Sequence, residues 1–289
     1  MSLKLVPAVA HFALPSLAVL SVALTAGCTV TVKTQTKYVA PTATLLTPAA
    51  AWVGQAVEIE DKNGSVTVQV TNDPSATNVA VAGLPFAFAD NQADGNAAVT
   101  DATSTIKLDE TAPNGTSPGR LYAHCSIAAQ AHGSAANGTT GCDLVLTIPA
   151  SIAAQGLALK VTSHNGPVTV TGVSSLTNQI IVLQADNGPV TATGITGGVK
   201  AHSDNGPVTA SVTPTPGSNC EASTQVGDVS LSLPATFAAD HITLTATNGA
   251  VKGDFPDVTS ATTSRGAAGT GASSIVATTG LGDVLIQVQ

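Results

Sequence analysis

Residues Asn187–Gly194 read NGPVTATG, and nearly the same words stand at Asn165–Gly172 (NGPVTVTG) and Asn205–Val212 (NGPVTASV). Numbering each unit from its Asn exposes a longer pattern. Three residues on stands Val66, Val168, Val190, Val208, Val229, Val251 or Val284; five on stands Val68, Val170, Ala192, Ala210, Leu231, Gly253 or Ile286. Four before stands Ile59, Val161, Leu183, Ala201, Ala222, Leu244 or Ala277; six before stands Val57, Leu159, Ile181, Val199, Cys220, Ile242 or Ile275. Thr, Ser, Lys and Gln fill the places between. That is period-two strand patterning with one buried face, on both sides of a turn.

An Asn-Gly pair between two such runs ordinarily signals a hairpin. Here the unit recurs at about 20 residues with the same residue types in the same places, which is the mark of a solenoid whose coils stack in register. The fold expected is all-β, a right-handed parallel β-solenoid, each coil lying on the one before it. The corners are Asn63-Gly64, Asn165-Gly166, Asn187-Gly188, Asn205-Gly206 and Asn248-Gly249. Glycine supplies a tight turn, and Pro167, Pro189 and Pro207 open the following strand, where a missing N–H is tolerated. Stacking would let the corner Asn side chains share amide hydrogen bonds. A second, longer repeat matches LTIPASIAAQGLALKVTSHNGPV from Leu146 to LSLPATFAADHITLTATNGAV from Leu231, and places Cys142 where Gly227 stands. Asn72–Gly141 fits the repeat poorly and is expected to hold degenerate coils with loops.

The ends are different. Met1–Lys4 is basic, Val6–Leu24 is almost wholly apolar, and small residues precede Cys28. Those features describe an export signal over residues 1–27, and their small-small-Cys ending resembles a bacterial lipoprotein signal, which implies lipid on Cys28. A plain transmembrane anchor or an incidental cysteine are the rivals; the short run with His11 and Pro15 favours the lipid. Residues 28–50, with Pro41 and Pro48, read as a tether, or from Thr29 as a first strand. Residues 51–289 form the solenoid. The run GLGDVLIQVQ at the end has no evident cap, which points to end-to-end self-association through strand edges.

Composition narrows the partners. The chain has 289 residues with 10 basic and 18 acidic side chains, a net charge of −8. That excludes an electrostatic grip on nucleic acid or on anionic lipid. Aromatics are 3% of the chain, with Trp52, Tyr38 and Tyr122 scattered, so a sugar-stacking groove is disfavoured. In an exported chain Cys125 and Cys142 suit a disulfide closing the polar loop between them. Cys220 lies in the buried column six before the corner, beside Val199 and Ile242. A zinc site lacks close Cys or His pairs, and no metal or cofactor is expected.

The repeated N-G-x-V corners and the apolar-Pro segment resemble the bacterial putative-adhesin family of unknown function, over roughly residues 52–289. The resemblance implies an extracytoplasmic β-solenoid and carries over no catalytic residue. Pro rather than Asp after Asn-Gly at three corners departs from many members.

Chemistry-bearing candidates are few. The outward column one before the corner reads His164, Asp186, Asp204, an ion pair or weak cation site against a merely solvated corner. Gly115–Gly119 (GTSPG) matches a nucleophile elbow formally, but lies among turn formers with Pro after the Ser. The expected function is therefore a lipid-anchored envelope protein with a non-catalytic binding or structural role, contacting a membrane through its lipid and an envelope protein or glycan through its surface. The alternatives are a polysaccharide-acting β-helix enzyme, which needs paired acids, and an envelope-stress signalling scaffold.

Overall fold

The computed structural model describes residues 35–49, 51–112, 119–126, 140–234, 241–253 and 273–289. The export signal, Cys28, the start of the tether and the Ser of GTSPG lie outside them. In chain order the elements are β1 (Thr36–Val39), β2 (Thr44–Leu46), β3 (Ala56–Asp61), β4 (Val66–Thr71), β5 (Ala80–Ala89), helix α1 (Gln92–Thr103), β6 (Ile106–Thr111), β7 (Arg120–Cys125) and β8 (Thr140–Pro149). After the short helix α2 (Ala150–Ala153) come β9 (Leu159–Asn165), β10 (Val168–Thr171), β11 (Ile180–Asn187), β12 (Val190–Thr196), β13 (Gly198–Asn205) and β14 (Val208–Thr213). The chain closes with β15 (Asn219–Val226), β16 (Val229–Leu233), β17 (His241–Asn248), β18 (Val251–Gly253), β19 (Ser274–Leu281) and β20 (Val284–Val288).

Alternating apolar residues put these strands into two facing sheets. Each coil is one strand of a nine-stranded sheet, an Asn-Gly-type corner, and one strand of an eleven-stranded sheet. Neighbouring coils pair parallel and in register, so Val66, Val168, Val190, Val208 and Val229 form one column, each 0% exposed. Ile59, Val161, Leu183, Ala201, Ala222 and Ala277 form a facing column. Full burial of a Val or Leu is worth about 1.5–3 kcal/mol, and the columns repeat that gain at every rung. The all-β parallel solenoid is therefore the observed fold.

The order of the coils departs from the sequence expectation. Stacking in chain order holds from β9/β10 to β15/β16, but not at either end. The nine-stranded sheet runs β17-β19-β15-β13-β11-β9-β3-β7-β6. The coil β7/β8 thus lies outside β3/β4, although it follows it in the chain, and β17/β18 lies outside β19/β20. The two copies of the apolar-Pro segment explain this. The first leaves one coil and enters the next but one, from β8 past β4 to β9, and the second stands in the chain between β16 and β17, with residues 235–240 outside those described. In the first copy α2 buries Ile152 and Ala153 over the coil it crosses, with Leu157 0% exposed. Pattern alone cannot order the coils, because every coil offers the same columns to both neighbours. For the same reason Cys220 lies between Val199 and Ile275, not beside Ile242.

Three other expectations are corrected. Asn72–Gly141 holds an antiparallel cap as well as a coil: β5 pairs antiparallel with β8, and β6 with β7. Helix α1, N-capped by Asn91, packs Ala98 and Val99 against Ala87, Ala89 and Tyr38. Its weakly apolar sequence gives no periodic signal, and packing on β5 makes the helix. Within the stretch read as tether or first strand, β1 and β2 both pair antiparallel with β5, so the folded domain reaches back to Thr36. Lastly, the C-terminal run is not an open edge, because β20 lies between β16 and β18 and β19 between β15 and β17. The outer strands at that end are β17 and β18.

Candidate functional site

The corners are built from backbone in close contact. A Cβ placed on Gly166, Gly188, Gly206 or Gly227 would lie 2.0–2.6 Å from the carbonyl oxygen of the corner glycine in the neighbouring coil. Close approach, more than torsion, demands glycine there, since Cβ atoms do not come within 3.0 Å of such atoms. Cys142 keeps a side chain in the same column because no further glycine corner lies beyond its coil. Above the glycines runs an amide ladder: Asn165 donates to Asn63 Oδ1 at 2.7 Å, Asn187 to Asn165 at 3.0 Å and Asn205 to Asn187 at 3.1 Å. Val226 and Leu281 interrupt it, and Asn248 bonds the Gly280 carbonyl instead.

The two outer faces are unlike. On the eleven-stranded sheet Thr67, Thr169, Thr191, Thr209 and Ser230 stand in one uncharged column. On the nine-stranded sheet the outward columns carry most of the charge of the solenoid. Glu58 takes Arg120 on one side and Lys160, at 2.9 Å, on the other. Tyr122 donates to Glu60 at 2.7 Å, and Glu60 lies 3.4 Å from His164 Nε2. His164 Nδ1 lies 2.6 Å from Asp186. Further along, Lys200 pairs with Glu221 at 2.9 Å, and Asp204 is met by His202 at 3.0 Å and by Gln225 at 2.8 Å.

The column His164, Asp186, Asp204 therefore splits: His164 and Asp186 join each other, whereas Asp204 joins the next network. Its pair partners come from the column two residues earlier, Glu60 and His202, which sequence reasoning did not single out. Their signal was present, since alternate residues of one strand share a face. Bonding to Asp186, and then its charge and that of Glu60, raises the His164 pKa against the opposing effect of burial. The Tyr122 hydroxyl and His164 hold the Glu60 carboxyl below its usual range. Arg120 lies over the Tyr122 ring at 4.2 Å, and His124 stacks on Tyr122 at 4.7 Å between centroids. His124 also reaches Asp109 at 3.0 Å.

Among the described residues, two grooves bear on whether acids converge. One of about 380 Å³ lies where the connections around Leu176–Ile180 and Thr215–Asn219 project, and contains no charged group. Another, of about 200 Å³, includes Asp73 as its one carboxylate. Neither brings two acids together.

Cys125 and Cys142 are joined, with Cα atoms 6.5 Å apart, and Cys220 is free and buried, its thiol pushed up to about 11 by burial. Beside the disulfide lies Asp61, 0% exposed, with no hydrogen-bond partner on either carboxyl oxygen. Burial first, and then the nearby Asp143 carboxylate, push its pKa up to about 8; the N–H groups of Lys62 and Asn63 oppose this from outside bonding geometry.

A two-sheet parallel solenoid with laddered outer faces defines a class of repeat protein rather than an activity. Within that class the chain belongs to the Toastrack DUF4097 family, whose model matches residues 55–287. Among solved structures it is similar to a "putative cell adhesion protein" of Clostridium sporogenes, at 10% identity over 88% of this chain and 100% of that one, with a TM-score of 0.40. It is also similar to a "putative adhesin" of Bacteroides fragilis, at 11% identity over 84% and 97% of the two chains, with a TM-score of 0.33. No curated protein matches the sequence.

Proposed function

We propose that the protein is a non-catalytic binding module of the bacterial cell envelope, held to a membrane by lipid on Cys28. In this reading the outward face of the nine-stranded sheet meets an envelope protein or a glycan. The observation that carries the reading is lateral pairing: Glu58, Glu60, Asp186, Asp204 and Glu221 are each engaged by a neighbour on the same flat face. Acids used this way present fixed hydrogen-bonding groups at rung spacing and do not converge on a scissile bond, as hydrolysis of a glycoside requires. The ring of Tyr122 is stacked by His124 and capped by Arg120, so recognition rests on hydrogen bonds rather than on sugar stacking. The export signal, Cys28 and the disulfide support a place outside the cytoplasm.

The test is protease accessibility on intact and lysed cells, followed by capture of cell-wall glycan and envelope proteins by wild type and by a Lys200→Ala/Glu221→Ala double variant. Digestion on intact cells with capture reduced in the variant supports surface binding. Protection until lysis moves the partner to the periplasm and favours a scaffold or signalling role. Turnover of polysaccharide by the purified protein overturns the non-catalytic reading.

A further inference from the structure

The corner between the two coils nearest the cap brings together groups that are distant in the chain. Asp61 ends β3, Cys125 ends β7 and Cys142 lies in β8. One ligand atom from each lies within 4.8 Å of the others, and all three residues are buried. The column that Asp61 occupies shows what the position normally asks for. Ser163, Ser203, Thr224 and Thr279 stand there in other coils, and each hydroxyl donates to a corner glycine carbonyl, at 3.0, 2.8, 2.8 and 2.8 Å respectively. Ala185 and Ala246 need no partner. Asp61 places a carboxyl where the backbone offers an acceptor, and neither of its oxygens is bonded. A buried carboxylate without bonded donors is costly, and either a proton or a bound cation relieves that cost.

We propose that Asp61, Cys125 and Cys142 form a metal site for a divalent cation of the zinc type, loaded when the cysteine pair is reduced. The disulfide is then the metal-free, closed form of the same corner. Two thiolates and one carboxylate are a ligand set that suits zinc, and tetrahedral bonding at about 2.3 Å needs the sulfurs only about 3.7 Å apart. The Cα separation of 6.5 Å accommodates both states. These three side chains fill three of the four tetrahedral positions. Thr105 Oγ1, whose proton goes to the Ala102 carbonyl at 2.7 Å, lies 3.4 Å from Cys125 Sγ and would have to turn to bond a thiolate. Opening the site takes a dithiol, which gives two electrons and two protons to the S–S bond and itself becomes a disulfide. Metal binding then releases the two thiol protons, together with the Asp61 proton where the carboxyl still holds it. Spacing hid this site, because its ligands come from three separate strands.

The test uses the full chain, reduced and desalted without oxygen, and titrated with Co²⁺ alone. The expected result is a thiolate-to-cobalt charge-transfer band that saturates at one equivalent and is displaced by Zn²⁺. The oxidised chain should give no band. Asp61→Asn should weaken cobalt binding by at least about tenfold, whereas Cys220→Ser should leave it unchanged. If the reduced chain loses its fold, adding Zn²⁺ during refolding should restore the strand signal in circular dichroism. No band from a folded reduced chain, no recovery with Zn²⁺, or a band indifferent to Asp61→Asn and Cys142→Ser overturns the proposal.

Discussion

Asn205 donates its side-chain amide to the Oδ1 of Asn187 at 3.1 Å, and Asn187 passes the same bond to Asn165 at 3.0 Å. Asn187 is thus acceptor on one side and donor on the other. Asn187→Ala should cost about 1–2 kcal/mol, the sum of two net hydrogen bonds, and lower the melting temperature by several degrees. Asn248→Ala should cost less, because Leu281 beside it ends the ladder. Equal losses in paired thermal melts would contradict a shared ladder.

Gly188 and Gly194 both have positive φ, +155° and +64°, but only one of them is crowded. A Cβ on Gly188 would lie 2.4 Å from the Gly166 carbonyl oxygen, whereas on Gly194 the nearest atoms are 3.8 Å away. Gly194→Ala should cost about 1–2 kcal/mol, from its left-handed backbone. Gly188→Ala must separate two coils, and should cost about 3 kcal/mol or more. Urea titrations of the two variants measure the gap, and a reversed order would show that torsion rather than contact selects the corner glycines.

Asp61 makes the oxidised, metal-free protein less stable as pH rises. Its carboxyl titrates near 3.8 when unfolded and near about 8 when folded. Between those values the folded chain holds a proton that the unfolded chain has lost, so stability falls by up to about 1.4 kcal/mol per pH unit. The facing groups are Asp143, whose charge adds to the effect, and the non-titrating disulfide. Asp61→Asn should flatten the slope between about pH 5 and about pH 7.5, which denaturant midpoints across that window would record. An unchanged slope in the variant would assign the pH dependence elsewhere.

His164 should titrate above an ordinary histidine, because its protonated ring faces Asp186 and Glu60. A raised folded pKa adds stability below the unfolded value, and that stability is lost as pH rises through the folded one. Following the imidazole carbon protons by nuclear magnetic resonance gives the value directly. Asp186→Asn should bring it down, and an unchanged value in that variant would contradict the pairing.

The disulfide closes a loop with a sequence separation of 17. Cys142→Ser should cost about 3 kcal/mol in the loop-entropy account. Alkylation of the denatured, unreduced chain should modify Cys220 and leave Cys125 and Cys142 blocked; a blocked Cys220 would refute this pairing.

The columns around each corner were readable because a β-solenoid writes its packing at fixed offsets from Asn-Gly. Val57, Leu159 and Ile181 announce a buried face without any knowledge of the partner strand. Coil order was not readable, since Val168 can pair equally well with any valine at the same offset. Helix α1 was hidden by a sequence whose apolar residues are few and small. Of the outer face, His164, Asp186 and Asp204 were visible as one column. Glu60 was missed because its role depends on which coils lie alongside, whereas the pairing of His202 with Asp204, two residues on in one strand, was open to reading. Asp61 looked like one more alternating strand residue, and only the position of β7 beside β3 brings Cys125 next to it.

The exchanged order of the last two coils makes the end of the chain a keystone. Among the described residues, strand β17 pairs with β19 alone and β18 with β20 alone. A polypeptide stopped before Ser274 leaves both of them unattached, even though they are already synthesised. Growth of the solenoid from the amino terminus therefore halts at β15/β16 until β19 and β20 arrive. Completion of the fold is thus tied to β19 and β20, and a chain cut before Ser274 carries two loose strands that limited proteolysis should remove.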